Sequence, residues 1–395
     1  MNKDLSKAVR IGTICIVTYI ASYVTRNILS VSTPEMITGS FFTKEYIGLL
    51  SSLQFIFYAA GQLVNGFIGE RVHPKLMISI GLAATSISTL FIPATEIRLL
   101  HFICFAMIGF ALSMLRGPMM KIISENTTDR YARILCTLFC VVGFAGPLIA
   151  SLLSIVFKWK TVFFITGIFT ALMSCFSYVF IGILERKKEI SFSPVKENGL
   201  KSIFGLFKME KFVAFMLLNA IAEIAGTSIT FWVPTYSTEF LGFSSETSAV
   251  IYSIISFSTL FAPFIALFLY EKISKNEMLI SLVLFSLSAF MFLLMEFIQI
   301  PIINIALLLL AKISVGSAAG IVWSVYIPSL GKSGNVSSAN GVIDAFAYAT
   351  AAAASALFSI LIAKIGWNGL ILIWCFIMVA GVTIPTVSII KKRKA

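Results

Sequence analysis

Apolar positions along this chain gather in long unbroken runs rather than alternating or recurring once per turn. Between charged or Gly/Pro/Asn-rich breaks the runs fall near 9–31, 44–68, 75–94, 97–120, 134–157 and 161–184. After a polar stretch they resume near 210–236, 245–270, 278–297, 300–328, 337–363 and 367–390. A hydrocarbon layer about 30 Å thick takes roughly 20 helical residues at about 1.5 Å each. Each run therefore predicts a membrane-spanning α-helix, and the chain reads as an all-α membrane protein. The pattern divides it into a six-helix bundle over 1–184, a linker over 185–208 and a second six-helix bundle over 209–395.

Composition sharpens this. Of 395 residues, 58% are hydrophobic and only 12% charged, which excludes a water-soluble globule. Collagen, a disordered tail and a disulfide scaffold are excluded too, since glycine has no three-residue period and six cysteines are diluted over the whole length. A net charge of +12 would suggest nucleic acid in a soluble protein, but its distribution gives another reason for it. Alternate connectors put 22 of the 30 Lys and Arg on the side of both termini, against 5 on the other. The excess of basic residues marks the cytoplasmic side. The expectation is a multi-pass protein of the cell membrane with both termini cytoplasmic, in contact with lipid and not with nucleic acid.

The first run is too long for a signal-peptide core and contains Arg26, so it is expected to be retained. No phosphate-binding loop, Cys-x-x-Cys pair or His-Glu-x-x-His motif is present, and the histidines number two, His73 and His101. We therefore expect no metal, no cofactor and no enzymatic activity. Cys136 and Cys140, one turn apart, read as small buried hydrophobes.

Between the second and third runs stands Gly66-Phe67-Ile68-Gly69-Glu70-Arg71-Val72-His73-Pro74-Lys75. It resembles the loop signature of the major facilitator superfamily. Small residues there let helices approach, and Glu70 and Arg71 can engage a neighbouring helix end in one gate state. Tyr270-Glu271-Lys272, at the matching place in the second half, reads as a degenerate copy. Further ordered fragments are Tyr19-x3-Tyr23-x2-Arg26-Asn27 with Pro34, Tyr58-x3-Gln62, Trp232-Val233-Pro234-Thr235-Tyr236, Gly341-x6-Tyr348 and Gly366-Trp367. Together they resemble the organophosphate:phosphate antiporters, the carriers of glycerol 3-phosphate and hexose 6-phosphate.

The resemblance implies a twelve-helix major facilitator fold, two six-helix bundles related by a pseudo-two-fold axis, with Arg26 as an anion ligand. Tyr19, Tyr23, Tyr58, Gln62 and Tyr348 would line the substrate site, and Gly66, Glu70 and Arg71 would form a gating loop. The chain departs from the family where a second arginine is expected and Gly226 stands. Glu223 replaces a site tyrosine, Gln62 a lysine and Ser256 a glutamate, and the fifth run has no histidine.

Arg26, Arg116, Lys312, Glu223 and Asp344 lie inside the runs, with Glu296 near an end. Each costs roughly 2.5–3.5 kcal/mol at a helix centre by insertion scales, so they should face the protein interior or a wet cavity. Arg116 reads as a second substrate cation or as a helix-pairing charge. Glu223, Lys312 and Asp344 read as an internal ion-pair network or, through either carboxylate, as the proton-coupling element. The expected function is secondary active transport of a small organic anion by a monomer using alternating access, with proton or phosphate as coupling ion. Two alternatives stay open. Gly146-Pro147 with Ala150-Ser151 resembles the motif of proton-coupled drug exporters, and a transporter-like sugar-phosphate sensor would need a partner kinase, since its short termini leave no room for an output domain.

Overall fold

The helix ends are set by local chemistry. Pro74 opens α3 (Pro74–Phe91), where its missing N–H costs nothing. Asp129 stands in the first turn of α5 (Asp129–Val156), at the positive end of the helix dipole. These belong to a first series completed by α1 (Lys3–Ile37), α2 (Lys44–Arg71), α4 (Arg98–Asn126) and α6 (Trp159–Arg186). The second series is α7 (Phe212–Glu239), α8 (Ser245–Ser258), α9 (Ala262–Phe268), α10 (Glu277–Phe297), α11 (Pro301–Ile321) and α12 (Val336–Lys394). Ser244 Oγ caps α8 by accepting from Thr247 N at 3.2 Å, and Asn276 Oδ1 caps α10 by accepting from Met278 N and Leu279 N. The computed structural model describes residues 3–37, 41–42, 44–192, 205–209, 211–298, 300–333 and 335–394. Among these residues there is no strand.

Two runs expected to be single helices are interrupted. The run near 245–270 stops at Ser258 and restarts at Ala262, because Pro263 has no N–H to continue the ladder. The run near 300–328 passes from α11 into a wide π-turn over Val322–Tyr326. The last two runs are the limbs of α12, which turns at Gly366 with φ 68° and ψ −170°, backbone angles that glycine adopts without strain. Among the described residues ten helices are long and apolar enough to cross a membrane.

The chain forms two compact units. Unit one is Met1–Ile203 together with Ile327–Ala345; unit two is Phe204–Tyr326 with Phe346–Ala395. In unit one α1 packs on α5 and α6, α2 on α4, and α3 on both α4 and α6. In unit two α11 is central, with α7, α9 and α10 against it. Residues 327–345, which the apolar pattern assigns to the second bundle, group with unit one through the start of α12. Residues 193–204 of the linker lie outside the described residues.

Candidate functional site

On α1, Tyr19, Tyr23 and Arg26 follow one another at i, i+4 and i+7, so they share a helix face. The Arg26 guanidinium lies 4.4 Å from the ring centre of Tyr58, 5.4 Å from Phe55 and 5.8 Å from Tyr23. Aromatic faces attract a cation without adding a counter-charge. Tyr23 meets Tyr19 edge-on at 5.0 Å, and Tyr19 stacks on Phe139 of α5 at 4.0 Å. Gly146 lets α5 close on α1 here, since a Cβ on it would stand 2.9 Å from Tyr23 Cα. Four sequence-predicted residues, Tyr19, Tyr23, Arg26 and Tyr58, are thus brought together.

Arg116 of α4 donates through one guanidinium nitrogen to both Asp344 oxygens, at 2.9 and 2.8 Å. The pair is sunk in unit one, the Asp344 side chain being 4% exposed. Asp344 therefore does not join Glu223 and Lys312 in a second-half network, one reading its position in the sequence allowed. Its partner comes from 228 residues away. The Arg26 charge also reaches Asp344 electrostatically.

The loop motif is built against the start of α12. Gly66 and Gly341 touch backbone to backbone, a Cβ on Gly66 falling 2.9 Å from Gly341 Cα. Ser338 donates from its N–H to Glu70 Oε1 at 3.0 Å and from its hydroxyl to Gly66 O at 3.3 Å. Lys121 Nζ donates to Glu70 Oε2 at 2.8 Å, with its side chain only 5% exposed. A carboxylate at a helix N-terminus is stabilised by the dipole. Arg71 is exposed. Gln62 is buried with its Nε2 lacking a hydrogen-bond partner among the described residues, as are both amide atoms of Asn340.

In unit two Lys312 of α11 reaches across to α7. Its ammonium donates to Gly226 O and, at 2.8 Å, to Thr230 Oγ1. Glu223, one turn earlier on α7, acts on it electrostatically. Tyr348 is half-buried in unit two, and the half-buried Ser256 sits near the end of α8.

Sequence reasoning missed several of these contributors. Lys121 reads as a loop charge because the apolar run stops near 120, whereas α4 continues to Asn126. Phe55, Phe139 and Thr230 carry no signal that separates them from packing residues. No group of three or more metal-ligating side chains occurs among the described residues.

A family profile described as Major Facilitator Superfamily matches residues 15–334. The membrane sensor protein UhpC of Salmonella typhimurium is 22% identical over 254 residues, 57% of this chain and 55% of that protein. The membrane sensor protein UhpC of Escherichia coli is 32% identical over 69 residues, 18% of this chain and 16% of that one. The matched region thus spans at most about half of these relatives. Among solved structures, the proton:xylose symporter XylE bound to 6-bromo-6-deoxy-D-glucose aligns with a TM-score of 0.72 at 13% identity, over 97% of this chain and 95% of that one.

Proposed function

The chain belongs to the major facilitator superfamily, and from that premise we propose that it is a secondary transporter moving a small organic anion across the cell membrane by alternating access. The observation that carries the reading is Arg26, a guanidinium on a membrane helix surrounded by Tyr58, Phe55 and Tyr23. The rings hold it in place, and its planar fork suits a carboxylate or a phosphate. Arg116 is neutralised by Asp344, so in this reading it supports the site rather than binding cargo. The Gly66–Glu70 segment closes on the start of α12 in one gate state and releases it in the other. The protein works as a monomer with both termini cytoplasmic, and its coupling ion is proton or phosphate.

Uptake of labelled carboxylates and phosphate esters into proteoliposomes tests this. Arg26→Lys keeps the charge and loses the fork, so uptake at subsaturating substrate should fall at least tenfold while the protein still inserts and folds. Uptake equal to the parent's would remove Arg26 from the site. Inorganic phosphate loaded inside should fail to drive sugar-phosphate uptake, because Gln62 stands where the antiporters are expected to carry a lysine and Glu223 where they carry a tyrosine.

A second reading is that of a membrane sensor. The two UhpC proteins bear that name. Saturable ligand binding by the purified protein with no flux in the same proteoliposomes would favour it over transport.

A further inference from the structure

We propose that Lys312 is an anion-binding cation within unit two, positioned by Gly226 on α7, and that with Glu223 one turn earlier on that helix this site selects a singly charged oxyanion. The proposal rests on the transport reading above and names the class of cargo for it. Lys312 leaves α11 and ends against the backbone of a different helix, where Gly226 has no side chain. A Cβ at Gly226 would stand 3.3 Å from the ammonium, so the lysine head group would have to shift by a few tenths of an ångström.

The ammonium has three donor hydrogens. Gly226 O and Thr230 Oγ1 take two, and both acceptors are neutral. No carboxylate comes within 4.0 Å of Lys312 among the described residues. The contrast with Arg116, whose charge Asp344 cancels at 2.8 Å, is direct. One donor of Lys312 remains for a ligand, although its side chain is nearly buried.

The surroundings indicate which way this charge faces. Glu223, Gly226, Thr227 and Thr230 recur at i, i+3, i+4 and i+7, a single stripe on α7. Thr227 is exposed and the other three are half-buried, so the stripe is not sealed within unit two. Lipid is a poor neighbour for a carboxylate, a lysine and two hydroxyls, and polar groups at membrane depth face water-filled cavities. Glu223 acts electrostatically on Lys312 and repels a second negative charge on the cargo. One cation with a carboxylate in reach suits a carboxylate or other monoanion better than a phosphate-ester dianion.

The test uses the purified protein in detergent at pH 6.5, with lactate, glutamate and glycerol 3-phosphate as probes and ligand-induced thermal stabilisation as the readout. The parent should bind at least one of the two carboxylates more tightly than glycerol 3-phosphate. Lys312→Gln should weaken carboxylate binding at least tenfold, and Lys312→Arg less. Gly226→Ala, which keeps the lysine but crowds its head group, should weaken it several-fold and serves if Lys312→Gln does not fold. Glu223→Gln should shift the preference toward glycerol 3-phosphate at least threefold. Carboxylate binding that is unchanged in both Lys312→Gln and Gly226→Ala would make Lys312 a helix-pairing residue and overturn the inference, leaving the transport reading intact. Tighter binding of glycerol 3-phosphate by the parent would overturn the monoanion assignment alone. A parent that responds to none of the three probes would reject the organic-anion reading and this inference with it.

Discussion

The two units keep buried charge in opposite ways. Unit one closes its pairs: Arg116 lies against Asp344, and Glu70 is held between Lys121 and the first turn of α12. Unit two holds Lys312 with a carbonyl and a hydroxyl, both neutral. A closed pair has spent its charge on the protein and lends rigidity, whereas a cation solvated by neutral oxygens keeps its field. Desolvating a charge is costly in either arrangement, and only the second leaves something for a ligand to gain. In this chain Arg116 and Glu70 thus stiffen unit one, whereas Lys312 in unit two is solvated by neutral oxygens.

The comparison breaks most decisively at Asp344. Asp344→Asn should leave Arg116 buried without its counter-charge and cost about 3–5 kcal/mol. Thermal unfolding in detergent would show it, and Arg116→Gln in the same protein should recover most of the loss. Lys312→Gln should destabilise far less, because no opposite charge is stranded at contact distance. Gly66→Ala comes next. Its methyl would meet the Gly341 backbone, which has no side-chain freedom to yield, so the closed contact should lose about 1–3 kcal/mol. Thiol labelling of a cysteine introduced at Ser337 should rise accordingly. At the bottom of the scale, Arg10 and Glu189 pair at 2.9 Å with the Arg10 side chain 48% exposed. Arg10→Ala should change stability by no more than about 0.5 kcal/mol, and raised salt should erase even that.

Much of the frame was legible in the sequence. Apolar run length locates α3, α4, α6 and α10 to within a few residues at most of their ends, because each must match the same hydrocarbon thickness. The Arg26 cage was also legible in part, since Tyr19, Tyr23 and Arg26 lie on one helix and obey its period. What was not legible crosses between helices. Arg116 finds Asp344 at a separation of 228 residues, a pairing that no periodicity encodes. Gly226 reads as a lost cation on its own helix, and only folding reveals that α11 delivers Lys312 to the same spot. The break after Ser258 was hidden for another reason. Hydropathy does not register the missing N–H of Pro263, so two helices read as one run.

The polarity of α2 has a consequence for biogenesis. This helix carries Gln54, Gln62 and Asn65, all buried. Asn65 Nδ2 donates to Ser113 Oγ at 2.7 Å and to Phe110 O at 3.2 Å, both on α4. Polar side chains of this kind cost free energy when they face lipid alone. The helix gains by lying beside α4, whose acceptors complete it. At about 5–20 residues per second, the 45 residues from Asn65 to Phe110 take several seconds to synthesise. During that interval Asn65 has no acceptor from α4, so the polar face of the second helix is completed only when the fourth is made.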